Sequence, residues 1–465
     1  MNELTINLNL KSTTPLYEQL YFYIKNEIQL GKIPRGERLP STRSLAVYLD
    51  ISRSTVQLAY EQLQSEGYIE TIPCKGFYVA QIDMLYHITQ VIEEPRQGKE
   101  EERTDYQYDF TPNGIDLNGF PYNTWRKLSK DVLQDDRTEL FRLGDSQGEF
   151  QLRRTICNYL FQSRGVHCNP NQMIVGAGNE YLLMLLGAIL GQNHKIAFEN
   201  PTYRQAYKLF QNLSYEVFAV DMDKNGMEVS KLREVGADMA YVTPSHQYPL
   251  GIVMPMKRRM ELLRWAGELE GRYIIEDDYD SEFRYRGKPI PALQGYDVEG
   301  KVIYLGTFSK SIAPAIRISY MVLPKPLLSL YQEKTKFLNS TVSKVDQMIV
   351  QRFIDEGYYE RHLNKTRALY KGRHDKMLLG LRPLLQRCSI SGEYAGVHML
   401  LSFCNGMTEE TLIQAAEQVG IKVYGLSEYY MGGKSPREAT ILLGYANVTE
   451  DEITKAMKIL DKVWQ

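Results

Sequence analysis

At 465 residues the chain is too long for one ordinary hydrophobic core, so two or three domains are expected. Its 43% hydrophobic and 24% charged residues describe a soluble globular protein, and a net charge of −2 excludes a global basic field, so any nucleic-acid contact has to be a local patch. Five scattered cysteines, Cys74, Cys157, Cys168, Cys388 and Cys404, lack metal-ligand spacing and point to a reducing cytoplasm. Met1 to Leu10 holds an acidic residue and no apolar segment, so no secretion signal is expected there. The longest apolar run, Tyr181 to Leu190, is too short to span a bilayer.

In the first eighty residues, Leu16, Leu20, Ile24 and Ile28 recur every four positions, which predicts an amphipathic helix from Pro15 to Leu30, ended by Gly31. Ser41 is a good N-cap for a short helix through Leu49, and Ser52 for a second from about Arg53 to Ser65. Joined by Asp50 and Ile51, the two make a helix-turn-helix. Gly67 to Ile72 and Phe77 to Ala80, linked through Pro73 to Gly76, make a hairpin or wing. Residues 1–80 hold eight Lys/Arg and eight Asp/Glu, yet between 32 and 53 Lys32, Arg35, Arg38, Arg43 and Arg53 face only Glu37 and Asp50. The basic groups thus cluster on the turn and at helix starts, where phosphates are met. The motifs PLYEQL, GKIPRGERLPSTRSLA, ISRSTVQLAYEQLQSEGYIE and KGFYVA cover nearly all of residues 14–80 and closely resemble the winged-helix DNA-binding domain of the GntR regulator family. That resemblance implies that Arg43, Ser52, Arg53 and Thr55 approach double-stranded operator DNA, with Lys75 and Gly76 at the wing tip.

From 81 to 107 the apolar pattern fades into a charged stretch with Pro and Gly, which reads as a linker between a domain at 1–80 and another at 108–465. Beyond it, short β runs at 173–175, 196–198, 240–243, 273–275 and 302–305 alternate with helical stretches, which predicts an α/β fold with a mostly parallel sheet.

Several turns in this half supply parts of one site. Gly176-Ala-Gly178-Asn179-Glu180, between a strand and an apolar helix, offers exposed N–H groups to an anion, although Glu180 beside a phosphate is unfavourable unless it points away. Tyr203 follows a strand and could stack on a flat ring. Glu276, Asp277, Asp278 and Asp280 close an apolar strand; four acids in five residues call for a cation, a protonated pyridine nitrogen paired with one buried aspartate, the alternatives being a divalent metal, for which the strand supplies no histidine, or a solvated acidic turn. In Gly306-Thr307-Phe-Ser309-Lys310, a strand ends at a lysine flanked by hydroxyls with Arg317 seven positions on, which suits a Schiff base to a phosphate-bearing aldehyde cofactor.

With TPSHQYPLG at 243–251, EDDYDSEFRY at 276–285, GTFSKSIAPAIR at 306–317 and GYYERHLNKTRALYKGRHD at 357–375, this half resembles fold-type I aminotransferases dependent on pyridoxal 5′-phosphate. With the winged helix ahead of it, the whole chain looks like a MocR/GabR-type regulator. The resemblance implies Lys310 as the lysine that binds the cofactor's aldehyde and Asp277 as partner of the pyridinium nitrogen. It implies Tyr279 on the phenolic oxygen and Tyr203 on the ring face, with Gly178, Asn179, Thr307, Ser309 and Arg317 around the phosphate. A homodimer with active sites at its interface is implied too.

Three departures from the family stand out. Relatives place an asparagine where this chain reads His246-Gln247, so His246 or Gln247 is expected to substitute on the phenolic oxygen. Leu143 stands where many relatives have a tyrosine, and the strand from Ala439 lacks an arginine at its start, with Arg437 nearby in uncertain register. A weakened carboxylate clamp favours a cytoplasmic transcriptional regulator that senses an amino compound, or pyridoxal phosphate itself, over the alternative of a working aminotransferase carrying a DNA-binding domain.

Overall fold

The computed structural model describes residues 6, 8, 9, 12–80, 106–134, 138–285, 289–393, 395–432, 436 and 438–465. The chain forms two units, Met1–Arg103 and Thr104–Gln465. Most of the expected linker, residues 81–105, lies outside the described residues, as does Arg437.

The first unit has helices α1 (Leu16–Gln29), α2 (Thr42–Tyr48) and α3 (Arg53–Ser65), then an antiparallel hairpin of β1 (Ile69–Ile72) and β2 (Gly76–Val79). The four-residue spacing in α1 puts Leu20, Ile24 and Ile28 on one buried face, against Val56, Ala59, Tyr60 and Leu63 of α3. Each large apolar side chain so buried contributes about 1.5–3 kcal/mol. Both helix starts are set by serine caps: Ser41 Oγ accepts from Ser44 N–H and Ser52 Oγ from Thr55 N–H, each at 3.1 Å.

The second unit is built on an eight-stranded sheet. Its strands are β3 (Met173–Gly176), β4 (Lys195–Asn200), β5 (Glu216–Asp223), β6 (Gly226–Met227), β7 (Met239–Val242), β8 (Tyr273–Asp278), β9 (Val302–Thr307) and β10 (Ser319–Val322). They lie in the order β3-β10-β9-β8-β7-β4-β5-β6, and only β6 and β10 run against the rest. The alternation of a pleated strand sends Ile274 of β8 into one apolar layer, with Trp265 and Leu262, and Ile275 into the other, with Leu182 and Leu186. Helices therefore cover both faces, as the continuous apolar runs predict. A four-stranded antiparallel sheet, Cys388–Ser391, His398–Phe403, Ala439–Gly444 and Tyr424–Gly425, forms the smaller part of this unit.

Candidate functional site

Because six strands of the large sheet share a direction, their carboxyl ends and following turns gather at one edge, the place where open α/β sheets hold ligands. Asn179, Tyr203, Asp277, Tyr279, Thr307, Ser309, Lys310 and Arg317 line a single pocket there. They come from turns more than a hundred residues apart.

The run of acids is resolved by strand alternation. Glu276 and Asp278 share a face of β8, while Asp277 points the opposite way, into the pocket. Asp278 has a cation of its own: Arg164, the last residue of α4 (Phe150–Arg164), donates from Nε at 2.8 Å, and Tyr304 Oη donates at 2.5 Å. Glu276 accepts the backbone N–H groups of Leu293 and Gln294 at 2.7 and 2.8 Å. Asp280 meets His246 Nδ1 at 2.9 Å. The four acids thus do not share one cation, as their spacing suggested; each is satisfied separately. Among the described residues no cluster of His, Cys, Asp and Glu is arranged to hold a metal.

Asp277 accepts from Tyr241 Oη and, at 3.3 Å, from Asn179 Nδ2. Burial, reinforced by nearby carboxylates, raises its carboxyl to about 7. Lys310 Nζ donates to Asn113 Oδ1 at 3.1 Å, and desolvation lowers its ammonium to about 8. A lysine so perturbed in a cleft is a nucleophile candidate.

At the anion end, α5 (Asn179–Leu190) points its N-terminus at the pocket behind Gly178. Gly178 has φ +97°, and a Cβ there would lie 2.1 Å from the Arg317 guanidinium, so only glycine fits. Thr307 Oγ1 accepts from Ser309 N–H at 3.1 Å and from Ser319 Oγ at 2.8 Å, leaving its own O–H to donate. Ser309 Oγ and Asn179 Oδ1 are buried with no partner among the described residues. Glu180 does not point away: its Oε2 accepts from Arg317 Nη2 at 2.7 Å.

His246 stands behind Tyr279 rather than on the pocket wall. Its Nδ1 meets Tyr279 Oη and Asp280 Oδ2, both at 2.9 Å, and its Nε2 is buried without a partner among the described residues. Gln247, the other candidate for the phenolic oxygen, is spent on its own loop: Nε2 donates to Pro201 O and Tyr248 O, and Oε1 accepts from Leu250 N–H. Leu143 is 79% exposed and does not line the pocket.

In the first unit Arg43 and Arg53 are exposed in the first turns of α2 and α3, and Lys75 is exposed in the hairpin turn. Gly76, at φ +110°, lies against the Arg38 guanidinium. Ser52 and Thr55 are committed to the cap of α3, with their hydroxyls 2.8 Å apart.

Residues 16–79 match the family of bacterial regulatory proteins called gntR, and residues 113–460 match aminotransferases of class I and II. The chain is 40% identical to the HTH-type transcriptional regulator YdeL of Bacillus subtilis, with both chains covered in full. It is 31% identical to the probable rhizopine catabolism regulatory protein MocR of Rhizobium meliloti, over 95% of this chain and 92% of that protein. The chain belongs to the MocR-type transcriptional regulators. In this MocR-type regulator the larger unit has the aminotransferase fold: a kynurenine aminotransferase of Pyrococcus horikoshii, solved in complex with PMP, is similar with a TM-score of 0.69 and 25% identity, over 78% of this chain and 91% of that one.

Four wall residues of the regulator's pocket, Asn113, Thr243, Tyr248 and Ser319, were not among the residues expected from the sequence. Asn113 lies in a Pro-Asn-Gly turn whose link to Lys310 spans 197 residues. Tyr248 was in view within the quoted TPSHQYPLG segment, and its ring meets Tyr203 edge-on at 6.0 Å. No helix of the described residues is long and apolar enough to cross a membrane.

Proposed function

We propose that the aminotransferase-like unit binds pyridoxal 5′-phosphate at Lys310, that an amino compound or the cofactor itself is the signal, and that occupancy alters how the winged helices engage operator DNA. The observation that carries this reading is the convergence on one pocket of a lysine with a lowered pKa, a buried carboxyl raised to about 7, and a cradle with an unpartnered hydroxyl.

The residues fit the group. Ser309 Oγ, the free O–H of Thr307, the N–H groups at the start of α5 and Arg317 would hold the phosphate. Asp277, protonated near neutrality when alone, would ionise beside the ring nitrogen and keep the proton there. Tyr203 would cover the ring face. Tyr279, oriented by His246 and Asp280, would donate to the phenolic oxygen. When bound, the cofactor supplies an electrophilic aldehyde and an electron-withdrawing ring. Lys310 would be held beside that aldehyde, and its lowered pKa makes the neutral amine accessible near pH 8.

The protein acts in the cytoplasm as a homodimer in this reading, and a second subunit would cover the apolar side chains of Phe141 and Leu143, each 79% exposed. A ligand biases DNA binding only if it favours one arrangement of the heads over another. The test is the affinity of the full-length protein for DNA from its own promoter region, measured with and without pyridoxal phosphate and candidate amines. A change in affinity that the Lys310→Ala variant does not show is expected. Identical affinities under all conditions would remove the proposed coupling.

A further inference from the structure

Cys157 and Cys168 were unremarkable in the sequence, eleven residues apart with no motif around them. In the fold their sulfurs touch: Cys168 Sγ lies 3.4 Å from Cys157 Sγ, oriented to donate its S–H. Cys157 is on the buried face of α4 at 6% exposure, and Cys168 is half-buried in the segment that leads from α4 to β3. Both residues line an open surface cleft, with Asn158, Phe161, His167 and Lys325, which brings solvent up to the pair. The S–H of Cys168, with help from the charge of Arg153, holds the Cys157 thiol below its usual value, which favours its thiolate. Cys74 and Cys404 are exposed, and Cys388 is buried with its S–H toward Leu384 O.

We propose that Cys157 and Cys168 are a redox-active thiol pair that closes to an intrachain disulfide when a hydroperoxide oxidises them. The Cys157 thiolate attacks the peroxide oxygen, the O–O bond breaks, and a sulfenic acid forms as water or an alcohol leaves. The Cys168 thiol then attacks that sulfur, the S–O bond breaks, and water is released. Two thiols lose two electrons and two protons, and one peroxide is reduced. Closing from 3.4 Å to a bond of about 2.05 Å asks for a shift of little more than one ångström. The bond would tie the segment after Arg164, the residue whose guanidinium holds Asp278, back onto α4. It would thereby restrain the scaffold behind Asp277 and the start of β3.

The test is thiol mapping on the full-length protein. The reduced protein is treated with small amounts of hydrogen peroxide, remaining thiols are blocked with N-ethylmaleimide, and non-reduced peptides are examined by mass spectrometry. The expected result is a linked Cys157–Cys168 peptide, two hydrogens lighter than the sum of its parts, that dithiothreitol reverses. It should form at least about tenfold faster than oxidation of Cys74 or Cys404, which serve as internal references. In a Cys168→Ser variant, dimedone should capture a sulfenic acid at Cys157. Oxidation of Cys74 and Cys404 first, with Cys157 and Cys168 still alkylated by N-ethylmaleimide, would overturn the proposal, as would over-oxidation of either thiol without a linked peptide. The wild-type mapping decides the matter even if a variant folds poorly.

Discussion

Arg317 Nη2 lies 2.7 Å from Glu180 Oε2, so the one arginine that lines the pocket among the described residues already holds a carboxylate at the place where the proposed cofactor's phosphate would sit. Both side chains are about half exposed, at 51% and 48%, so the pair is screened and worth at most about 1 kcal/mol. Glu180 is then a displaceable internal anion. Glu180→Gln should tighten binding of pyridoxal phosphate on the order of fivefold, the equivalent of that energy. Binding of pyridoxal, which lacks the phosphate, should not change. Spectroscopic titration of both compounds checks this; equal effects on the two would place the action of Glu180 elsewhere.

The buried carboxyls give an unusual pH dependence. Burial raises Glu199, Glu276 and Asp277 to about 7 in the folded state. Between about 4 and 7 the folded protein therefore holds protons that the unfolded chain has released. Their contribution to stability is full below about pH 4 and fades as the pH rises to 7. The melting temperature of the cofactor-free protein should carry this falling component, and Asp277→Asn should remove its share. A melting curve across this range in which the variant keeps the full slope would contradict the assignment.

Arg164 and Asp278 form a buried pair, with side chains 5% and 2% exposed, and Arg164 also donates to Ser245 Oγ at 2.6 Å. Removing the arginine leaves Asp278 buried without its cation. Arg164→Ala should cost about 3–5 kcal/mol in urea unfolding. Tyr304→Phe, which removes one neutral donor, should cost about 1–3 kcal/mol.

In the winged helix, two residue classes should separate. Arg53 is exposed at the start of α3, so Arg53→Ala should weaken DNA binding at all sequences and reduce the salt slope by about one. Ser52 caps the helix, so Ser52→Ala should lower the stability of this unit by about 1 kcal/mol. Fluorescence anisotropy across salt concentrations, beside thermal melts, distinguishes the two.

What the sequence made legible was local. Ser41 and Ser52 announce helix starts because a cap acts within three residues, and the apolar runs ending at Asp278 and Thr307 announce strand exits because strand and turn chemistry are contiguous. What stayed hidden was set by tertiary contact. Nothing near Asp278 in sequence foretells Arg164, 114 residues earlier, and nothing near Lys310 foretells Asn113. Gln247 was a fair candidate by type, but its amide is consumed by the loop that carries it. The resemblance singled out Asp277, but the physical reason, the alternation along β8 that turns it away from Glu276 and Asp278, shows only against the packed faces.

In the proposed function Lys310 carries the cofactor. The most direct test of that role is the visible absorption spectrum of the full-length protein titrated with pyridoxal phosphate, beside a Lys310→Ala variant with an unchanged melting temperature. A saturable visible band is expected in the native protein, one that the variant lacks and that responds to the effector amine. The absence of any such band, or the same band in both proteins, would contradict that role.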